Sequence, residues 1–200
     1  MKLIAVSKTK SAEAIEAVYD TGQRDFGENY VSEAIEKMSA LESLDICWHF
    51  LGPLQSNKTR LVAANFNWIH SVDRIKIAKR LNEQRPDELP PLNVCLQVNI
   101  PAEPTKSGVI SEAELLDLAL AVSEMDRLNL RGIMAIPAPA RDFEQQCAQF
   151  NRIAQLLSIP DLPEQMKELS MGMSGDMESA IAEGATMVRI GTDIFGARYN

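Results

Sequence analysis

The chain has 200 residues, 46% hydrophobic and 24% charged, an ordinary globular balance that leads us to expect one domain spanning 1–200. A net charge of −8 argues against a surface built to hold nucleic acid or acidic lipid, so any phosphate must be gripped locally. Three dispersed cysteines without CxxC spacing argue against zinc and for a reduced, cytoplasmic setting, and no apolar stretch nears the roughly 18 residues that cross a bilayer.

In chain order, Leu3-Ile4-Ala5-Val6 opens as a buried strand, and further β-rich runs follow. The eight expected strands are 3–7, 24–27, 47–51, 68–71, 94–99, 132–136, 168–171 and 187–190, the second and seventh being the weakest. Between them lie amphipathic helical stretches at 12–19, 30–38, 112–125 and 143–157. Ser111 and Glu114 have the spacing of a capping box at the start of the third. Prolines at 86–91, 101–104 and 137–139 fall between elements, and none of these segments is long enough for an interdomain linker.

Strand–helix alternation argues for a parallel sheet, and eight units in 200 residues favour a small closed (β/α)8 barrel over an open doubly wound sheet. The chain begins almost on its first strand and stops shortly after its last, so a helix covering the seam is expected to be absent and apolar surface to be exposed near Ile4 and Val188.

In such a barrel the working groups stand at the carboxyl ends of the strands. These are Ser7 and Lys8, then Glu28 and Asn29, Gln55 and Asn57, Ser71, Asn99, the 135–137 corner, the Ser174–Gly175 turn and Arg189-Ile190-Gly191-Thr192. Met171-Gly172-Met173-Ser174-Gly175-Asp176 is a glycine-bearing turn leading into a helix at 177–183, where amides and a hydroxyl converge as an anion site. Gly191 and Thr192 supply a second such turn beside it, in the usual barrel phosphate position. Either turn alone would be read as a cap; the pair points to phosphate. Lys8, at a strand end beside the mouth, would be partly desolvated, which frees an amine to attack an aldehyde. An amine facing a phosphate clamp suits pyridoxal phosphate, and equally a sugar-phosphate aldolase that forms its own lysine Schiff base. His49 and His70 read as packed or hydrogen-bonded structural residues, and Met171, Met173 and Met177 as adaptable packing. There is no Walker sequence, GxGxxG spacing or metal-ligand set.

Leu3-Ile4-Ala5-Val6-Ser7-Lys8-Thr9-Lys10 resembles the cofactor-lysine segment of the pyridoxal phosphate homeostasis proteins. Phe26-Gly27-Glu28-Asn29-Tyr30, His49-Phe50-Leu51-Gly52-Pro53-Leu54-Gln55-Ser56-Asn57-Lys58, His70-Ser71-Val72-Asp73, Lys106-Ser107-Gly108, Arg131-Gly132-Ile133-Met134, Ser170-Met171-Gly172-Met173-Ser174 and the run from Arg189 to Gly196 resemble further signatures of that family, in its order. The resemblance implies a barrel of the alanine racemase N-terminal-domain type. It implies a cofactor, pyridoxal 5'-phosphate, held as a Schiff base on Lys8, with Asn29, Ser174, Gly175, Gly191 and Thr192 around it and Arg189 facing the pyridine nitrogen. It implies a non-catalytic carrier that buffers the cofactor and delivers it to apo-enzymes; a monomer is expected, and the net charge and the lack of a long apolar stretch lead us to expect neither nucleic acid nor membrane as partner. The competing reading is an amino-acid racemase, which would need a second base; Tyr30 and Lys106 are the candidates, and spacing places neither opposite Lys8.

Overall fold

The computed structural model describes residues 1–99 and 107–196. Its elements, in order, are β1 (Lys2–Val6), α1 (Ala12–Asp20), β2 (Asp25–Glu28), α2 (Val31–Ala40), β3 (Cys47–Phe50), α3 (Thr59–Asn65), β4 (Trp68–Val72), α4 (Ile75–Gln84), β5 (Leu92–Val98), α5 (Glu112–Ser123), β6 (Leu128–Ala135), α6 (Phe143–Gln155), β7 (Glu168–Ser170), α7 (Met177–Ala182), β8 (Met187–Ile190) and α8 (Thr192–Phe195). The strands are parallel and neighbour one another in chain order, and β8 closes back onto β1 in the register Lys2↔Met187 to Ala5↔Ile190. The expected barrel is therefore the observed one.

The strands form where expected, with shifts at their ends. β6 starts at Leu128 instead of 132, because Leu128 and Leu130 are buried against the helix layer on either side of exposed Asn129 and the strand pairs with β5 from Leu92 onward. Helices α3 and α4, which the periodicity did not single out, bury Val62 and Ala63, and Ile77, Ala78 and Leu81. At the start of α5, Ser111 accepts from the Glu114 amide at 3.2 Å, but the Glu114 carboxylate takes the amide of Ile110, so the capping box is displaced by one residue. The segment 101–104 and Lys106 lie outside the described residues.

Two apolar layers result. One lies between strands and helices; the other is small and joins Ile4, Trp68, Cys95, Met134 and Met187, which come from five different strands and so meet across the lumen. Strand parity decides which residue carries the apolar surface expected at the seam. Ile4 is fully buried because it points into the barrel, and Val188 is buried on the outer face, where its Cγ1 lies near Gly172. The exposed apolar side chain on β1 is Leu3, paired with Val188 in register and 40% exposed. Gly132 is required by close approach: a Cβ there would stand 1.9 Å from the Glu168 carbonyl oxygen on β7.

Candidate functional site

At the carboxyl ends of the strands a cavity of about 280 Å³ is lined by Lys8, Asn29, Ser174, Gly175, Arg189, Gly191 and Thr192, with Val6, Leu51, Met134, Ile136 and Met173 as apolar walls. All seven residues picked from the sequence therefore meet in one place. They arrive from the ends of β1, β2, β7 and β8, non-neighbouring in sequence but adjacent in the closed sheet.

Lys8 sits on a tightly held segment. The Ser7 amide donates to the Gly27 carbonyl at 2.9 Å, Ser7 Oγ donates to Glu28 Oε1 at 2.6 Å, and Lys37 Nζ donates to the Ser7 carbonyl at 2.8 Å and pairs with the same Glu28 oxygen at 2.7 Å. The Thr9 amide donates to Glu33, which also pairs with Lys37. Thr9 itself has φ of +65°, an unfavourable region for a β-branched residue, so the turn that presents Lys8 is held against local strain. Sequence reasoning placed Glu28 at a strand end without a role and passed over Lys37 and Glu33. The available signal was the Glu33/Lys37 spacing on α2, together with an acid at a buried strand position that needs a cation. Burial pushes the Glu28 carboxyl up from its ordinary range despite the hydrogen bonds and charge of Lys37 and Ser7, and its buried Oε2 has no partner among the described residues.

The side of the cavity formed by the ends of β7 and β8 is built from two turns. Asp176 accepts the Met173 amide at 2.6 Å, which fixes the first turn ahead of α7. The amides of Ser174, Gly175 and Thr192 have no protein acceptor among the described residues. Three unpaired donors at one side of a cavity and a lysine at another suit a phosphorylated aldehyde. Gly191 brings its main chain close to β1, since a Cβ there would lie 3.3 Å from the Val6 carbonyl oxygen.

Arg189 lies at the cavity floor, buried, with Nη1 donating to Ser170 Oγ at 2.8 Å and Nη2 to the Ala135 carbonyl at 3.0 Å. Burial lowers its pKa to about 10, so it stays a cation at neutral pH. His49 and His70 are fully buried and hydrogen-bonded to each other at 2.9 Å. Tyr30 is 57% exposed and lines a neighbouring cavity instead of the one with Lys8. Among the described residues lining the Lys8 cavity, Lys8 is the one side chain able to act as a base.

Fold and site together define an alanine racemase-type barrel: the family model for the alanine racemase N-terminal domain matches residues 1–199. Solved alanine racemases have this fold, as in that of E. faecalis, TM-score 0.75 at 18% identity over 99% of this chain and 54% of that one. Within that class the chain belongs to the family of pyridoxal phosphate homeostasis proteins. It is 57% identical to the protein of that name from Pseudomonas aeruginosa, over 98% of this chain and 84% of that one, and 55% identical to that of Escherichia coli K12, over 98% and 85%. The structure of PipY from Synechococcus elongatus PCC7942 with PLP bound superposes with TM-score 0.88 at 40% identity, covering 98% of this chain and 92% of that one.

Proposed function

We propose that this chain binds pyridoxal 5'-phosphate in the Lys8 cavity and serves to hold and release it, taking part in intracellular cofactor balance. The observation that carries the reading is the meeting, in about 280 Å³, of one amine with three backbone N–H groups that lack protein acceptors. The family name of the relatives and the PLP-bound state of PipY support it. When bound, the cofactor supplies a reactive aldehyde and an aromatic ring that can store electron density.

Lys8 Nζ would be the covalent anchor, because it is the amine that lines the cavity and can condense with an aldehyde, and the reversibility of such a condensation would let the cofactor pass to an apo-enzyme. Ser174, Gly175, Gly191 and Thr192 would hold the phosphate through main-chain N–H and hydroxyl groups, with Asn29 at the side of the cavity. Arg189 can donate a hydrogen bond to the ring nitrogen but does not surrender a proton, which weakens the ring as an electron sink. With no second base lining the cavity among the described residues, we read the protein as a carrier without racemase activity.

The test is uptake of PLP by the purified protein. A band near about 420 nm is expected, which borohydride removes while fixing the adduct on Lys8 in peptide mapping. Lys8→Ala abolishes both, and the loaded protein does not racemise amino acids. An adduct on another lysine, or stoichiometric racemase turnover, overturns the corresponding half of the reading.

A further inference from the structure

A continuous line of polar groups, partly exposed at Lys2 and Asp25 and buried from His49 onward, runs through the barrel lumen from its amino-terminal end to the cavity floor. Lys2 Nζ and His49 Nε2 both contact Asp25 Oδ1, at 2.8 and 2.9 Å; His49 Nδ1 is 2.9 Å from His70 Nε2; His70 Nδ1 is 2.8 Å from Ser170 Oγ; and Ser170 Oγ is 2.8 Å from Arg189 Nη1. His49, His70 and Ser170 have no exposed surface, and Arg189 has 5%. The partners stand on β2, β3, β4, β7 and β8, so the step from His70 to Ser170 crosses the lumen instead of following neighbouring strands.

The hydrogen-bonding capacities of these groups fix the direction of every link. An ionised carboxylate only accepts, so His49 carries its proton on Nε2 and presents a lone pair at Nδ1. His70 must then donate from Nε2, which leaves its own Nδ1 as acceptor. Only Ser170 can supply that proton, and its oxygen in turn receives one from Arg189, which only donates. Ser170, His70 and His49 each have one donor and one acceptor side in use, and the sequence Arg189 to Ser170 to His70 to His49 to Asp25 is self-consistent with both imidazoles neutral. The Asp25, Cys47 and His49 ligand atoms lie within 4.8 Å of one another, but Asp25 Oδ1 already pairs with the Lys2 ammonium and His49 Nε2, a cation and a hydrogen-bond partner that satisfy the carboxylate without a metal ion.

We propose that Asp25, His49, His70 and Ser170 are positioning residues, a one-way hydrogen-bond relay that locks the Arg189 guanidinium at the floor of the cofactor cavity and ties its placement to a carboxylate at the opposite end of the barrel. The assignment of Arg189 to a bound cofactor rests on the reading under Proposed function; the relay itself rests on the geometry of this chain. Its role is orientation: a guanidinium held by Ser170 and the Ala135 carbonyl cannot swing away from the ring position, and Ser170 is held in turn by the tautomer that Asp25 selects.

The experiment is long-range ¹H–¹⁵N correlation of the two histidines in the protein without cofactor. The expected spectrum has both rings neutral, with protonated Nε2 and unprotonated Nδ1. An Nδ1–H tautomer or an imidazolium in either ring overturns the relay. In Asp25→Asn a second tautomer set is expected at His49 and His70, with PLP binding weakened roughly 5- to 10-fold and the emission of the bound cofactor shifted. Ser170→Ala is expected to do the same to PLP binding, and Ser170→Thr, which keeps the hydroxyl, to restore it. Unchanged affinity and emission in both Asp25→Asn and Ser170→Ala also overturn the proposal. Wild-type protein that shows the expected tautomers but takes up no PLP overturns the cofactor reading alone, whereas wrong tautomers beside normal uptake overturn the relay alone.

Discussion

Gly172→Ala should damage fold and site together, and a second substitution should undo a calculable share of the harm. Gly172 has φ of +94°, and a Cβ built there stands 2.6 Å from Ala180 Cβ on α7 and 3.4 Å from Val188 Cγ1. Alanine in that backbone region costs about 1–2 kcal/mol, and forcing a methyl into an occupied position costs about 1–3 kcal/mol more. A total near 3 kcal/mol corresponds to a fall in Tm of roughly 6–12 °C for a chain of this size. Ala180→Gly alone should cost roughly 1 kcal/mol through lost helix propensity. The pair should be less destabilised than the sum of the singles by about 1–3 kcal/mol, because the overlap is gone while the backbone cost remains. Urea denaturation of the four proteins in the cycle measures this directly. Additive single effects would mean that α7 does not pack on Gly172 as described, and the account of the turn that presents Ser174 and Gly175 would fall with it.

Acidification from pH 7.5 to 5.5 should weaken folding. Burial holds the folded-state pKa values of His49 and His70 below the ordinary 6.5, so their contribution is full above that value and is lost as the unfolded chain takes up protons on the acid side. Two such groups lose at most about 2.7 kcal/mol over this window, and the raised pKa of Glu28 acts in the opposite sense, leaving roughly 1–2 kcal/mol; equal or greater stability at pH 5.5 refutes the assignment. At lower pH, Asp25 adds a loss of the same sign: hydrogen bonds from His49 and Lys2 overcome its burial and hold it at about 2, so stability present above its ordinary 3.8 drains away as the pH falls toward 2. Lys37→Met should cost about 3–5 kcal/mol, because it leaves buried Glu28 without its cation, and adding Glu28→Gln should recover part of it, as read by thermal melting. Thr192→Val should weaken PLP binding by about 10-fold or more with little change in Tm, measured by fluorescence titration.

Much of the architecture is legible in the chain before any coordinates. The apolar runs of β1 and β4 and the amphipathic stretches of α5 and α6 carry local periodicities that tertiary context does not reverse, and their number and alternation are enough to suggest a closed parallel barrel. The two glycine-bearing turns and Lys8 are likewise readable, because strand ends on one side of such a barrel share a face. Strand boundaries were less so: the start of β6 is set by its pairing with β5, a contact between segments with no local signature.

What only the tertiary structure decided is which side of the sheet each residue faces and whom it meets across the lumen. From sequence the seam reads as exposing apolar surface near Ile4 and Val188, and it is parity on β1 that sends Ile4 inward and gives the exposed face to Leu3. His49 and His70 read as packed strand residues, and nothing in their spacing announces that Ser170, 100 positions beyond His70, completes a path to Arg189. That Glu28 meets Lys37 is likewise not written in their spacing; the pairing behind Lys8 depends on α2 folding back over β2. The division has a physical cause. Propensity and periodicity act over a turn or a few residues and are written in the chain, whereas closure of eight strands brings together groups whose separation in sequence is arbitrary, and only the closed geometry determines which donors find which acceptors.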